Sequence, residues 1–270
     1  MTLDLPRVMI VGAGELGSAV CHRLRVSGMG VIAVDIEKPQ CIRRRVCFAV
    51  AMTEGRAEVE GVMAEKTAAP AGAEEIMARG AIPVLSGDCR SLLDALGVDV
   101  LVDATLRKGR SESIKGLACF TVGLGPGFVA GDTADVVIET NRGHDLGRTI
   151  HKGCAEPNTG VPGEILGVSR DRVVRSPAAG VFGDGVEIGS LVRSGDRLGA
   201  VDGRTEVRAP IDGVLRGLIA DGTAVRESQK IGDVDPRGVK IDVDTISDKG
   251  RAVAGGVLES IMSWWVKSNA

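Results

Sequence analysis

Tyrosine is absent from the chain, and its other aromatic side chains are few: Phe48, Phe120, Phe128, Phe182, Trp264 and Trp265. So small a set cannot furnish the stacking platforms that hold single-stranded nucleic acid, nor aromatic grips for sugars or peptides. An excess of charge of either sign is also missing, since 33 basic and 36 acidic residues leave a net charge of -3. That is not the basic footprint of a nucleic-acid or anionic-membrane binder. No run reaches the roughly 18 uninterrupted apolar residues of a membrane span, and the start to Arg7 lacks a basic-then-apolar leader. A soluble, cytoplasmic protein is expected. Six cysteines, at 21, 41, 47, 89, 119 and 154, form no Cys-x-x-Cys pair and no regular framework, so they read as reduced thiols.

Glycine is plentiful, at 38 of 270 residues about twice the ordinary share of ~7%. A hydrophobic content of 44% over this length suits two modest domains. Arg7–Val11 is a short apolar run that leads into Gly12-Ala-Gly-Glu-Leu-Gly17, and Ser18–Val26 has helical periodicity. Further strand and helix patterns alternate: Gly30–Val34, Ala73–Arg79, Ile82–Leu85, Arg90–Leu96, Asp99–Asp103, then Ala118–Val122 and Asp135–Glu139. Alternation of this kind predicts a Rossmann-like α/β domain with a parallel sheet over residues 1–140. Between Asp35 and Ala73 lies a long insertion with Arg43-Arg44-Arg45 and a β-like stretch, Val46–Met52. Residues 141–165 read as a glycine-rich functional loop.

An internal repeat follows. Arg175-Ser-Pro-Ala-Ala-Gly-Val181 recurs 33 positions later as Arg208-Ala-Pro-Ile-Asp-Gly-Val214, and Gly189/Gly222, Val192/Val225, Gly199/Gly232 and Asp202/Asp235 keep the same offset. A duplicated unit of short strands resembles the small all-β barrel-sandwich of biotinyl and lipoyl modules, here over residues 166–240. Its central join, Asp202-Gly-Arg-Thr-Glu206, has no carrier lysine, so a docking or binding surface is expected rather than a biotin or lipoate carrier. Residues 241–270 predict a C-terminal helix capped near Ser247, with Val253, Val257, Ile261 and Trp265 on one face.

Gly12, Gly14 and Gly17 follow a strand and precede a helix, and Asp35 ends the second strand 18 positions later, the pattern of a dinucleotide turn. Against bound NAD stands Glu15, whose charge about 4 Å from a pyrophosphate would cost on the order of 4 kcal/mol at an effective dielectric of 20. A dinucleotide-binding turn and a ligand-free or differently liganded one both stay open. The three arginines suit a phosphate clamp, with a solvated charge run as the plainer reading. His144, His151 and Cys154 are zinc-type side chains, but their spacings of seven and three match no known site, so no metal is expected. Cys154, between Gly153 and Ala155, is the candidate reactive thiol.

Several strings carry a resemblance over nearly the whole chain: Pro39–Gly61, Gly-Leu-Gly-Pro-Gly-Phe at 123–128, Glu-Thr-Asn-Arg-Gly-His-Asp-Leu-Gly-Arg at 139–148, and Ser-Asp-Lys-Gly at 247–250. The sequence resembles the YqeB family, accessory proteins of the selenium-dependent molybdenum hydroxylase system, and its first part is similar to maturation chaperones of xanthine-dehydrogenase-like enzymes. The resemblance implies a maturation factor that delivers the molybdopterin cofactor, or assists selenium insertion, with a molybdenum hydroxylase as client protein. It carries a role and no reaction, so catalysis stays open. On this view the cofactor's phosphates meet Gly12, Gly14, Gly17 and Asp35 or Arg43 and Arg44, while the loops with Gly125, Gly127, Arg142, His144 and Asn158 cover its reactive end. An NAD-dependent oxidoreductase and a non-catalytic docking scaffold are the alternatives. A homo-oligomer is compatible with either.

Overall fold

The computed structural model describes residues 5–107, 109, 111–160 and 163–270. Of the segments read above, residues 1–4 of the amino terminus and 161–162 of the glycine-rich loop lie outside the described residues. The chain divides into two compact units, one of Met1–Pro39, Val46–Thr159 and Ile246–Ala270, the other of Gln40–Arg45 and Gly160–Thr245. Most of the expected 141–165 loop and of the 241–270 tail therefore belongs to the first unit, and the arginine triplet belongs to the second.

The first unit opens with β1 (Arg7–Val11), α1 (Glu15–Val26) and β2 (Gly30–Val34). Val8, Met9 and Ile10 are fully buried, as a strand covered on both faces requires. The chain continues through α2 (Ala51–Glu54), β3 (Arg56–Val59), β4 (Val62–Lys66), α3 (Pro70–Ala78), β5 (Ile82–Leu85), α4 (Cys89–Leu96) and β6 (Val100–Asp103). It then adds β7 (Phe120–Leu124), β8 (Val136–Ile138) and β9 (Thr149–Ile150). These nine strands form one sheet in the order β3-β4-β5-β2-β1-β6-β7-β8-β9.

That sheet corrects the expected Rossmann-like parallel domain. Both of its edges are antiparallel, β3 on β4 and β9 on β8, so the sheet is mixed. One cause is the hairpin that the 35–73 insertion contributes, with Glu60 and Gly61 at positive φ in its turn. The other is the return of the chain at Gly147, whose φ is also positive. Val46–Met52 is not a strand either: it lies in two short 3-10 turns and the start of α2. The Phe48 N–H donates to Ser18 Oγ (2.7 Å) and the Ala49 N–H to the Ala13 carbonyl (3.0 Å), so these donors serve the glycine turn and not a β ladder.

The second unit comprises β10 (Val173–Arg175), β11 (Gly180–Gly183), β12 (Leu191–Val192), β13 (Arg197–Val201), β14 (Thr205–Arg208), β15 (Gly213–Leu218), β16 (Ala224–Val225) and β17 (Lys230–Asp235). They form two four-stranded antiparallel sheets, β10-β17-β15-β12 and β14-β13-β11-β16, in place of the expected biotinyl/lipoyl-like barrel-sandwich. The repeat is visible in the orders themselves, because a shift of one repeat length carries each sheet onto the other. Phe182, Leu198, Leu215, Leu218, Ile231 and Val234 are buried together at the centre.

The last element, α5 (Asp248–Ser268), packs within the first unit and is not a domain of its own. Ser247 caps it by accepting the Gly250 N–H at 3.1 Å. Val253, Val257 and Ile261 are fully buried as their spacing predicts, and a Cβ on Gly256 would collide with the Gly147 carbonyl oxygen, so the close approach needs glycine there. No helix among the described residues is long and apolar enough to cross a membrane.

Candidate functional site

At the carboxyl edge of the sheet, the glycine turn is shaped by what cannot fit around it. Gly12 has a φ of +91°, and a Cβ on Gly17 would run into the Gly12 carbonyl oxygen. Gly14, the residue ahead of α1, differs: nothing lies within 4 Å of where its Cβ would stand, and no side chain caps the helix. With no side-chain cap, this helix start carries the partial positive charge of its first turn. Asp35 braces the turn, its two oxygens accepting from the N–H of Ala13 (2.7 Å) and of Ile36 (2.8 Å).

Three further segments converge here. Asp103, 8% exposed at the end of β6, accepts from the N–H and hydroxyl of Thr105 (2.9 and 2.6 Å). Glu139, 3% exposed at the end of β8, accepts from the N–H groups of Thr140, Asn141 and Glu156, each at 2.7 Å, and so pins both ends of the loop that follows it. Arg142 on that loop grips Asp248, at the start of α5, with both terminal nitrogens (2.7 and 2.9 Å). Beside Asp248 stands Lys249, half-buried. Burial pushes its ammonium pKa down, the Arg142 charge adds to this, and Glu15, Glu139 and Asp248 pull the other way. Asp103, Glu139 and Lys249 escape sequence reasoning; the signal present was the Ser-Asp-Lys-Gly string.

The other expected site residues are distributed as follows. Gly125 (φ +80°) lies against Thr140, and a Cβ on Gly127 would strike Ser111 Oγ, so both serve close packing of the loop. Phe128 folds over Gly123 in the same way, which explains the Gly-Leu-Gly-Pro-Gly-Phe string. His144 and Asn158 are exposed. Cys154, also exposed, lines a cavity of about 560 Å3 with Glu139, Arg148, His151, Lys152 and Glu156. Arg43 and Arg44 sit in the second unit, where Arg43 is 6% exposed and not part of a solvated charge run. All six cysteines are free thiols, and no cluster of metal-ligating side chains occurs among the described residues.

No family model matches the sequence. It is 47% identical over 255 residues to YqeB of Escherichia coli strain K12, an alignment that takes in 94% of this chain. The chain belongs to the YqeB family. It spans about half, 47%, of that relative's length. Among solved structures, an aspartoacylase family protein from Mesorhizobium loti is 10% identical, with 86% of this chain and 85% of that chain covered and a TM-score of 0.27. A succinylglutamate desuccinylase/aspartoacylase from Rhodobacter sphaeroides is 14% identical, with 85% of each covered and a TM-score of 0.26. Likenesses at such TM-scores carry no argument about fold or activity.

Proposed function

We propose that this YqeB-family chain is a cytoplasmic maturation factor for selenium-dependent molybdenum hydroxylases, and that its first unit holds the phosphate end of the molybdopterin cofactor at the start of α1. The observation that carries the reading is the start of α1 at the carboxyl edge of the sheet, where no side chain caps the helix, a Cβ on Gly14 would meet open space, and Lys249 lies near Glu15 of the same turn. The donor set fits a phosphate group: main-chain N–H groups and one ammonium. Glu15, the residue that argues against a nucleotide there, is engaged by the Ser247 hydroxyl. The bound cofactor supplies the molybdenum centre of the client enzyme; the chain's own residues hold and shelter it. Lys249 and the α1 N–H groups bind, Glu139 and Arg142 hold the covering loop, and the cavity with Cys154 stands beside it.

Native mass spectrometry of protein purified without oxygen, from cells supplied with molybdate and selenite, tests this. A co-purifying molybdopterin species or selenium adduct is the expected result, together with lower molybdenum content of the client in Lys249→Met cells. Retained NAD with neither would favour the oxidoreductase. Client capture with no small ligand, and unaffected by Lys249→Met, would leave a docking scaffold.

A further inference from the structure

The second unit has a cavity of its own, of about 450 Å3, lined by Arg44, Arg45, Glu187, Ile188 and Asp221. Around it the three consecutive arginines are used differently. Arg43 is buried and spends Nη2 on the carbonyls of Val243 and Thr245, each at 3.2 Å. Arg45 is matched by carboxylates, with Nη1 at 3.1 and 3.2 Å from Asp244 and Nη2 at 2.8 Å from Glu187. Arg44 is half-buried, and its Nε donates to the Leu218 carbonyl at 2.9 Å. Among the described residues its two terminal nitrogens donate to no atom, and no carboxylate pairs with it.

A guanidinium tethered through Nε keeps its outer edge free, and that edge is a pair of parallel N–H donors matched to two oxygens of one oxyanion. The tether also fixes the side chain before any ligand arrives, which removes part of the ordering cost of binding. We propose that this cavity is an oxyanion site of the second unit, with Arg44 as its bidentate donor, for the phosphate or carboxylate group of a small molecule. Asp221 tunes it. Its Oδ1 accepts the Gly185 N–H at 3.0 Å, so its charge stays in the wall and favours a ligand of low charge. The site does not depend on the cofactor reading, which concerns the first unit.

Titration calorimetry on the full chain at constant ionic strength, with inorganic phosphate and separately with acetate, tests the site. A saturable equivalent is expected that survives Lys249→Met and weakens roughly tenfold or more in both Arg44→Met and Arg44→Lys, because lysine keeps the charge but not the fork. Tighter phosphate than acetate assigns a phosphate group, and the reverse a carboxylate. Asp221→Asn keeps an oxygen for Gly185 and removes the opposing charge, so binding should tighten by about threefold or more. This variant leaves Arg44 in place and so stays informative if the Arg44 variants fail to fold. Binding that is absent for both anions, equal in Arg44→Met and the parent, or not tightened in Asp221→Asn would overturn the proposal.

Discussion

Ser247 Oγ donates to Glu15 Oε1 at 3.1 Å across 232 residues of sequence, while it accepts the Gly250 N–H at the same distance. One hydroxyl therefore joins the starts of α1 and α5. Ser247→Ala removes the helix cap and the partner of a carboxylate together, a loss of about 1–3 kcal/mol in urea unfolding. Ser247→Thr should recover most of it. A loss no larger than that of an exposed serine would show the link to be idle.

The glycines of the turn should separate. Gly17→Ala places a methyl group against the Gly12 carbonyl and should prevent stable folding, read as loss of cooperative thermal unfolding. Gly14→Ala meets open space at φ -69°, an angle alanine adopts freely. It should stay folded, within roughly 1 kcal/mol of the parent, and retain less cofactor. Equal retention would move the binding position away from the helix start.

Lys249 makes stability depend on pH in the alkaline range. Its folded pKa is depressed, so between that value and the unfolded value near ~10.4 the unfolded chain binds more protons and stability rises with pH. Urea unfolding should show this rise in the parent and lose it in Lys249→Met, which should also be the more stable of the two at neutral pH.

Asp235 acts at the acid end. Burial alone would push its carboxyl pKa up, but Arg237, with Nε at 2.9 Å and Nη2 at 2.8 Å, its N–H, and the Arg216 charge hold it below the ordinary carboxylate range. A depressed folded pKa gives stability that is whole above the unfolded value near ~3.9 and is lost as pH falls towards the folded one. Acid unfolding of Asp235→Asn should lack this component, and its stability at neutral pH should fall because Arg237 and Arg216 lose the charge they share.

Thiol alkylation followed by peptide mapping should label Cys119 and Cys154 first, since both are exposed, and leave Cys21 and Cys47, which are buried, until the chain unfolds. Burial also pushes the Cys21 thiol far above its usual range. A ligand held beside Glu139 should protect Cys154 and leave Cys119 as reactive as before.

The strand, turn and helix around Gly12 were legible because local sterics and an unbroken apolar run both act over a few residues. The repeat was legible because its corner glycines recur in register. The edges of the sheet were not. β3 is Arg-Ala-Glu-Val and β9 only Thr-Ile, too polar or too short to stand out, and they are strands because a neighbour offers a ladder. The burial of Arg43 was equally hidden, since its carbonyl partners at 243 and 245 lie about 200 positions away. Lys249 had no local signature beyond its motif: its surroundings are assembled from α1, the loop after β8 and Asp248.

In the second unit each sheet takes two strands from each copy of the repeat, β10 and β12 with β15 and β17, then β11 and β13 with β14 and β16. Neither copy can complete a sheet from its own strands. A single ancestral copy would have found its missing strands only in a second chain, as an intertwined twofold pair. The turn at Asp202–Arg204 thus supplies through one covalent link the association that a lone copy would need.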